Sequence, residues 1–167
     1  VSLMSTAWWA AGTSIDIGIE QGKTMRNRMP SSGGNPGNPF SGNYWTSDRG
    51  TINLCILTPG HYIRDTFTHL GIPETADDPR FADALSLMSN WQQASDLIAA
   101  AFAKQTFQYW RHHLKTLKGQ WAPVQSLLDL ASDEQALAND MLFEVEAVDG
   151  GAPIRLVRGP VQFNHEA

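Results

Sequence analysis

The sequence predicts an α+β domain in which a small antiparallel sheet, built from hairpins, packs with several helices and follows a long N-terminal helix. Two observations predict the sheet. Apolar residues alternate with polar ones around an Asp/Gly turn in residues 44–56, and they do so again in residues 143–156. A third observation predicts the helices, because apolar residues between these hairpins recur at helical spacing.

The first element is a helix from Val1 to about Gln21, and Gly22 is its stop. Residues spaced along one of its faces are apolar: Met4, Trp8, Ala11, Ile15 and Ile19. A helix that is apolar on nearly all sides requires burial on more than one of them. Since the chain opens inside this pattern without a cap, we expect the sequence to begin in the middle of a domain.

The stretch from Ser31 to Pro39 is rich in Gly, Asn, Pro and Ser, and it predicts neither a helix nor a regular strand. Gly33 and Gly34 lack a Cβ, so they accept positive φ and let another group approach the backbone closely. A plain linker into the following hairpin is the alternative interpretation of this stretch. In that hairpin Tyr44-Trp45-Thr46 forms one strand, and Ile52, Leu54 and Ile56 mark the buried side of the next.

Three helices follow. The first runs from Pro59 to Leu70, where Gly71 and Pro73 stop it, and the clearest runs from Asp83 to Lys104. Thr106 caps the third, which ends at Gly119.

The last part of the chain predicts an extended segment, a short helix and a second hairpin. Pro123 makes Gln120–Gln125 extended, and Ser132–Gln135 matches a capping box that opens a helix to about Asn139. The hairpin places Phe143, Val145 and Ala147 on one strand and Ile154 and Leu156 on the other, with Asp149-Gly150-Gly151 as its turn.

Composition excludes several classes of function. The net charge is −5, so the chain lacks the clustered positive charge that nucleic-acid binding requires. Its apolar runs are shorter than the roughly 20 residues of a membrane span, which predicts no membrane partner. The single cysteine, Cys55, has no internal disulfide partner, and no secretory signal is visible. A reducing cytoplasm is therefore the expected location.

The histidines do not predict a metal site. His61 and His69 lie eight residues apart on one helix without further ligands, and His112 and His113 point to different faces of another. We expect these side chains to be surface or capping residues.

The remaining charged clusters are also weak candidates for catalysis. Asp77 and Asp78 are adjacent and do not converge on one proton, so they indicate a turn before Pro79. Lys23, Arg26 and Arg28 precede the glycine-rich stretch, where they indicate either an anion-binding loop or, more simply, a solvated connector.

Read together, these segments resemble the family III CoA-transferases, the group that also contains α-methylacyl-CoA racemase. The resemblance covers nearly the whole chain in the family's order, and it rests on the following stretches: VSLMSTAWW, GGNPGNPF, YWTSDRGTINL, LGIPETADDPRFA, NWQQASDLIAAAFAKQTFQYW, GQWAPVQSLLDLASDEQALANDMLFEV and RGPVQF. The most specific part is GQWAPVQS followed by DEQALAN.

The resemblance implies that a catalytic half is missing. Full members are at least about twice this long, and their N-terminal Rossmann-like half holds most CoA contacts and the catalytic Asp. By resemblance, residues 1–30 are the exit helix and connector, and residues 31–167 are the small α+β domain with its C-terminal return segment. No residue here matches the nucleophilic Asp, and Asp16, in the exit helix, does not replace it. The G-x-S-x-G nucleophile elbow and phosphate-binding glycine motifs are also absent from the sequence.

The resemblance also marks a binding segment. The family's transferases cover their active site with a glycine loop at the position of Ser31–Gly37, which makes Gly33, Gly34 and Gly37 the candidate positions for CoA or acyl-CoA. In this chain Asn35-Pro36 interrupts the glycine run.

Three functions remain open. The chain is a truncated CoA-transferase-like protein, inactive alone, that retains acyl-CoA binding or pairs with a separate N-terminal half. Alternatively it is a stand-alone interaction module without catalysis, which forms a homodimer to bury Trp8, Trp9 and Ile15 of its first helix. The third hypothesis is a fragment of a longer enzyme whose function lies elsewhere.

Overall fold

The protein is described here by a computed structural model that covers residues 2–22, 32–148 and 150–161. It divides into two compact units, one of Val1–Arg28 with Gln125–Ala167 and one of Met29–Val124. The division into domains at residue 30 that the sequence suggests stays a prediction. Across the described residues no helix is both long and apolar enough to cross a membrane.

Residues 29–124 form the larger unit around a four-stranded antiparallel sheet in the order β1-β2-β3-β4. The strands are β1 (Gly33–Asn35), β2 (Asn38–Trp45), β3 (Thr51–Cys55) and β4 (Trp121–Val124). The β2–β3 hairpin confirms the alternation read from the sequence, since Ile52 and Leu54 are buried whereas Asn53 and Cys55 are not. The extended segment around Pro123 is the outer strand β4, where a residue without an N–H is tolerated.

One face of this sheet packs against helices. They are α3 (Ile63–His69), α4 (Ala84–Ser89), α5 (Trp91–Phe102) and α6 (Phe107–His113). Fully buried side chains from both layers form the core: Phe40, Tyr44, Ile52, Leu54, Ile56, Phe67, Phe81, Leu87, Ala94, Ile98 and Phe102. Helix α5 contacts β1 and β2 and therefore lies beneath the glycine-rich start of the sheet.

The three helices predicted here have bounds that differ from the sequence prediction, and α6 ends at His113 rather than at Gly119. The helix predicted over Asp83–Lys104 is split at Asn90, because that side chain donates hydrogen bonds to the carbonyls of Ser86 and Arg80. The helix predicted from Pro59 starts at Ile63, after a 3₁₀ turn. Thr106 caps α6 as predicted by accepting a hydrogen bond from the Tyr109 N–H.

Residues 1–28 and 125–167 form the smaller unit, with helices α1 (Leu3–Ala10), α2 (Gly12–Gln21) and α7 (Glu134–Ala138) and a two-stranded antiparallel sheet of β5 (Leu142–Val145) and β6 (Ile154–Val157). Its buried core is Trp8, Ile15, Ala136 and Met141. Asp16 accepts a 2.9 Å hydrogen bond from the Val157 N–H, which ties α2 to β6. The pairing of β5 with β6 confirms the second hairpin, and Asp149 of its turn lies outside the described residues.

Two predictions for this unit were wrong. The long N-terminal helix is two short helices, because Ala11 leaves the helical region with φ −92° and ψ 1°. The predicted capping box at Ser132 is replaced by a cap at Asp133, which accepts a hydrogen bond from the Ala136 N–H.

Candidate functional site

The candidate site is the glycine segment, which we define as residues 32–37. It was expected to be neither helix nor regular strand, yet Gly33–Asn35 is the short outer strand β1, with a register shift between Gly34 and Asn35. Gly33 has a φ of 130° and Gly37 a φ of 79°, a region that side chains rarely adopt. The glycines are therefore required by the backbone conformation at these two positions.

Gly34 is required for a different reason, because β2 passes directly against it. A Cβ on Gly34 would lie 2.6 Å from Pro39 Cα and 2.8 Å from the Tyr44 hydroxyl oxygen. Across the strand pair, a Cβ on Gly42 would lie 2.4 Å from the Gly33 carbonyl oxygen. The close approach at Gly34 is thus occupied by the protein's own strand.

The buried side chains of Ser95 and Tyr44 contact β1 on the side that faces α5. The backbone N–H of Gly34 donates a 2.7 Å hydrogen bond to Ser95 Oγ on α5. The Tyr44 hydroxyl donates to the Pro39 carbonyl and lies 3.5 Å from Ser95 Oγ. Burial raises the pKa of Tyr44 to about 12, so this phenol keeps its proton at neutral pH.

Gly37 is the open position of the segment. No described heavy atom outside its immediate neighbours lies within 4 Å of a Cβ built there. The next residue fixes the start of β2, since the Asn38 side chain accepts a hydrogen bond from the Phe40 N–H and donates to the Ile56 carbonyl. Among the described residues, the turn at Gly37 is therefore the part of the segment with open space beside its backbone.

The sheet that carries the segment has no charged residue in any of its four strands. On the face away from the helices, Asn53 donates to the Asn43 side chain and to the Gly42 carbonyl, and Asn35 donates to Ser41. These side chains are polar and carry no charge.

The carboxylates predicted to be structural have structural partners. Asp77 pairs with Arg64, and Asp78 pairs with Arg80 at 2.7 Å in the turn that follows. Hydrogen bonds from Arg80 lower the pKa of Asp78. Asp77 and Asp78 are each held by a separate arginine and do not share a proton.

The histidines are arranged in a way that the sequence did not indicate. His113 Nε2 lies 3.0 Å from the His69 carbonyl oxygen, and the two rings are 5.8 Å apart. His69 itself contacts Thr116 Oγ1 and the Asp65 carbonyl. Within the described ranges no group of three or more His, Cys, Asp or Glu side chains is placed to hold a metal ion.

Lys23, Arg26 and Arg28, the cations considered for anion binding, lie outside the described residues. Ser95 and Tyr44 were missed by the sequence reasoning. A serine within the apolar stripe of α5, between Ala94 and Ile98, is the feature that marks Ser95.

A model of the family described as CoA-transferase family III matches residues 1–167 of this chain. The chain belongs to CoA-transferase family III. The resemblance read from the sequence is thereby confirmed.

Two relatives in this family align with almost the whole chain. The (R)-2-hydroxy-4-methylpentanoate CoA-transferase of Clostridioides difficile is 29% identical over 99% of this chain and 40% of its own length. The cinnamoyl-CoA:phenyllactate CoA-transferase of Clostridium sporogenes is 29% identical over 98% of this chain and 39% of its own length. The chain spans about two fifths of the length of each relative.

A solved structure shares the fold of this chain. A CAIB/BAIF family protein from Brucella suis superposes with a TM-score of 0.65 at 18% identity, covering 95% of this chain and 39% of that protein. The α+β class with small antiparallel sheets is confirmed.

Proposed function

We propose that the chain acts in acyl-CoA chemistry as the glycine-bearing portion of a CoA-transferase, with CoA or an acyl-CoA as its ligand. The observation that carries this proposal is that both relatives matched over nearly the whole chain are named CoA-transferases. The geometry supports it, because the open turn at Gly37 stands at the end of a sheet without charged side chains. A neutral surface of this kind suits the uncharged thioester end of an acyl-CoA.

The reacting carboxylate is assigned to a separate N-terminal half that pairs with this chain. In this chemistry a carboxylate oxygen attacks the thioester carbon, the C–S bond breaks, CoA leaves as the thiolate and a mixed anhydride remains. Asp48, Asp78 and Asp83 of the described chain instead accept hydrogen bonds that hold turns and the starts of helices. The glycine segment contributes a backbone that excludes water and can approach the thioester without side-chain obstruction.

Calorimetric titration with CoA and a set of acyl-CoAs tests the binding part of this proposal. We expect saturable binding at about micromolar Kd, and Gly37→Leu should weaken it at least about tenfold. Gly71→Leu is the matched control, because Gly71 has a similar φ of 73° and similarly open surroundings away from the glycine segment. No heat with any of these ligands, or equal weakening by both variants, would contradict the proposed site.

The paired-half part of the proposal has a separate test. The N-terminal portion of the Clostridioides difficile relative, joined ahead of this chain, should transfer CoA between acyl groups, whereas this chain alone should not. A joined protein that folds and binds acyl-CoA but transfers nothing would count against this assignment.

A homodimeric interaction module is the second candidate, and the exposure of α1 favours it. Trp9 is 60% exposed and Leu3 is 93% exposed, which is the feature expected of an interface. Trp8 and Ile15, which were expected to share that surface, are instead buried within their own unit. Sedimentation should show a dimer that Trp9→Ser weakens, and a monomer at high concentration would exclude this function.

We also propose a cytoplasmic location. The single cysteine, Cys55, is an exposed free thiol, as a reducing compartment permits. Cell fractionation with an antibody against the chain would test the location directly.

A further inference from the structure

A serine occupies the centre of the most buried face of helix α5. Ser95 is 2% exposed, and its neighbours along that face, Ala94, Ile98 and Phe102, are fully buried. A buried hydroxyl is retained at low cost only when it is hydrogen-bonded. Ser95 meets this condition with a backbone group 61 residues earlier, the N–H of Gly34, at 2.7 Å.

Ser95 also lies beside the Tyr44 hydroxyl. The single hydroxyl hydrogen of Tyr44 is used in its shorter contact, with the Pro39 carbonyl. The Tyr44 oxygen lies 3.5 Å from Ser95 Oγ, which is a long and weak contact. Burial raises the pKa of Tyr44, and the contact with Ser95 offsets part of this rise. Contacts therefore run from Gly34 through Ser95 and Tyr44 to Pro39, the second residue of β2.

The other side-chain hydrogen bonds of the glycine segment run to β2: Ser32 Oγ accepts from the Trp45 N–H, and the Asn35 amide donates to Ser41 Oγ. Strand β1 has three residues, pairs with β2 alone, and changes register between Gly34 and Asn35. A Cβ on Gly33 would lie 3.4 Å from the Ser95 oxygen, so the serine also stands close to Gly33. The Ser95 hydroxyl therefore joins β1 to α5, whereas the pairing with β2 holds the strand from its side.

We infer that Ser95 is the positioning residue of the glycine segment: by accepting the Gly34 N–H it sets where the Gly37 turn stands for an acyl-CoA. The inference rests on the proposed function, because it assigns to Ser95 the geometry of the ligand-facing turn. Ser95→Ala removes one oxygen and keeps the Cβ, so the core around it stays filled. What it removes is the acceptor for a part-buried N–H, and β1 is then free to leave the helix.

Amide hydrogen exchange, followed by NMR on the full chain, measures this restraint. In Ser95→Ala the Gly34 amide should exchange at least about tenfold faster relative to the Ile98 amide one turn along α5. Ser95→Cys should give an intermediate rate, since sulfur is a weaker acceptor. Thr66→Val is the matched control, because it removes a buried hydroxyl that has no partner among the described residues. Equal Gly34 exchange in the wild-type chain and in Ser95→Ala would overturn the inference.

Acyl-CoA affinity separates positioning from mere stability. Ser95→Ala should weaken binding about tenfold, Ser95→Cys should weaken it less, and Thr66→Val should leave it unchanged. A Ser95→Ala chain that unfolds at a lower temperature but binds acyl-CoA normally would show a purely structural serine and overturn the inference. If the unmodified chain binds no acyl-CoA, the proposed function and this role in binding both fail. The exchange measurement alone then decides whether Ser95 restrains the segment.

Discussion

The carboxylate of Asp48, at the tip of the β2–β3 hairpin, accepts a 2.9 Å hydrogen bond from the backbone N–H of Phe107, the first residue of α6. Thr46 donates a second hydrogen bond to the same oxygen. The next residues of the tip bring Gly50 so close to the Phe107 ring that a Cβ there would lie 2.5 Å from Phe107 Cβ. One carboxylate thus fastens the hairpin to the start of a helix.

Asp48→Asn should make the thermal stability of the protein less dependent on pH in the acidic range. The hydrogen bonds from Thr46 and Phe107 lower the pKa of Asp48 below its ordinary 3.8. A lowered folded-state pKa stabilises the fold above the unfolded pKa, and this contribution is lost as the pH falls through the folded-state value. The wild type should therefore have the higher Tm at neutral pH, and the difference should shrink below about pH 3. Thermal unfolding by circular dichroism at both pH values checks this, and a constant difference would contradict it.

Gly34→Ala should destabilise the larger unit by about 3 kcal/mol, because its methyl group would meet backbone and ring atoms that cannot move independently. Gly12→Ala is the control. Its Cβ would lie 3.6 Å from Val157 Cβ, an ordinary contact, and alanine favours a helix by up to about 1 kcal/mol. Urea unfolding of both variants checks the contrast. A Gly34→Ala protein as stable as the wild type would show that β1 does not pack as described.

Thr51→Val should be neutral or stabilising by up to about 1 kcal/mol. The Thr51 hydroxyl is buried and has no hydrogen-bond partner among the described residues, and valine fills the same space while favouring a strand. Ser95→Ala, which removes a bonded hydroxyl, is the opposite case and should cost about 1–3 kcal/mol. Chemical denaturation measures the free energy of unfolding of both variants. A larger loss of stability in Thr51→Val than in Ser95→Ala would contradict this prediction.

Trp8→Ala should destabilise the smaller unit by about 3–5 kcal/mol, whereas Trp9→Ala should change stability by no more than about 0.5 kcal/mol. The two neighbours differ in burial, since Trp8 is 6% exposed in the core with Ile15 and Met141. Unfolding followed by far-UV circular dichroism measures both variants. Equal losses of stability in the two variants would indicate that Trp9 is also buried in solution.

Local sequence patterns were sufficient to predict much of the fold. The alternation of Ile52 and Leu54 with Asn53 predicted β3, and Thr106 predicted the start of α6, because both depend on residues close in the chain. The break at Asn90 was not predicted, because one of the two hydrogen bonds of its side chain reaches the Arg80 carbonyl ten residues away.

The site was predicted only in outline. The residues of the glycine segment were identified from their composition, but the partners that hold them were not. Ser95 is 61 residues from Gly34, and His113 is 44 residues from His69. Nothing in a single sequence pairs residues so far apart, whereas the folded sheet and helices bring them into contact. A long separation along the chain also explains why β4 was predicted as extended but not as a partner of β3.

The two outer strands of the four-stranded sheet also bear on aggregation. A long, flat outer strand offers unpaired backbone groups to other chains and can seed fibrils. Strand β1 is three residues long and irregular, and β4 is four residues long and carries Pro123, which cannot donate a backbone hydrogen bond. Many proteins prevent such pairing with charged side chains, which the strands of this sheet lack. Its outer strands are protected instead by their short length, by the irregular register of β1 and by Pro123 in β4.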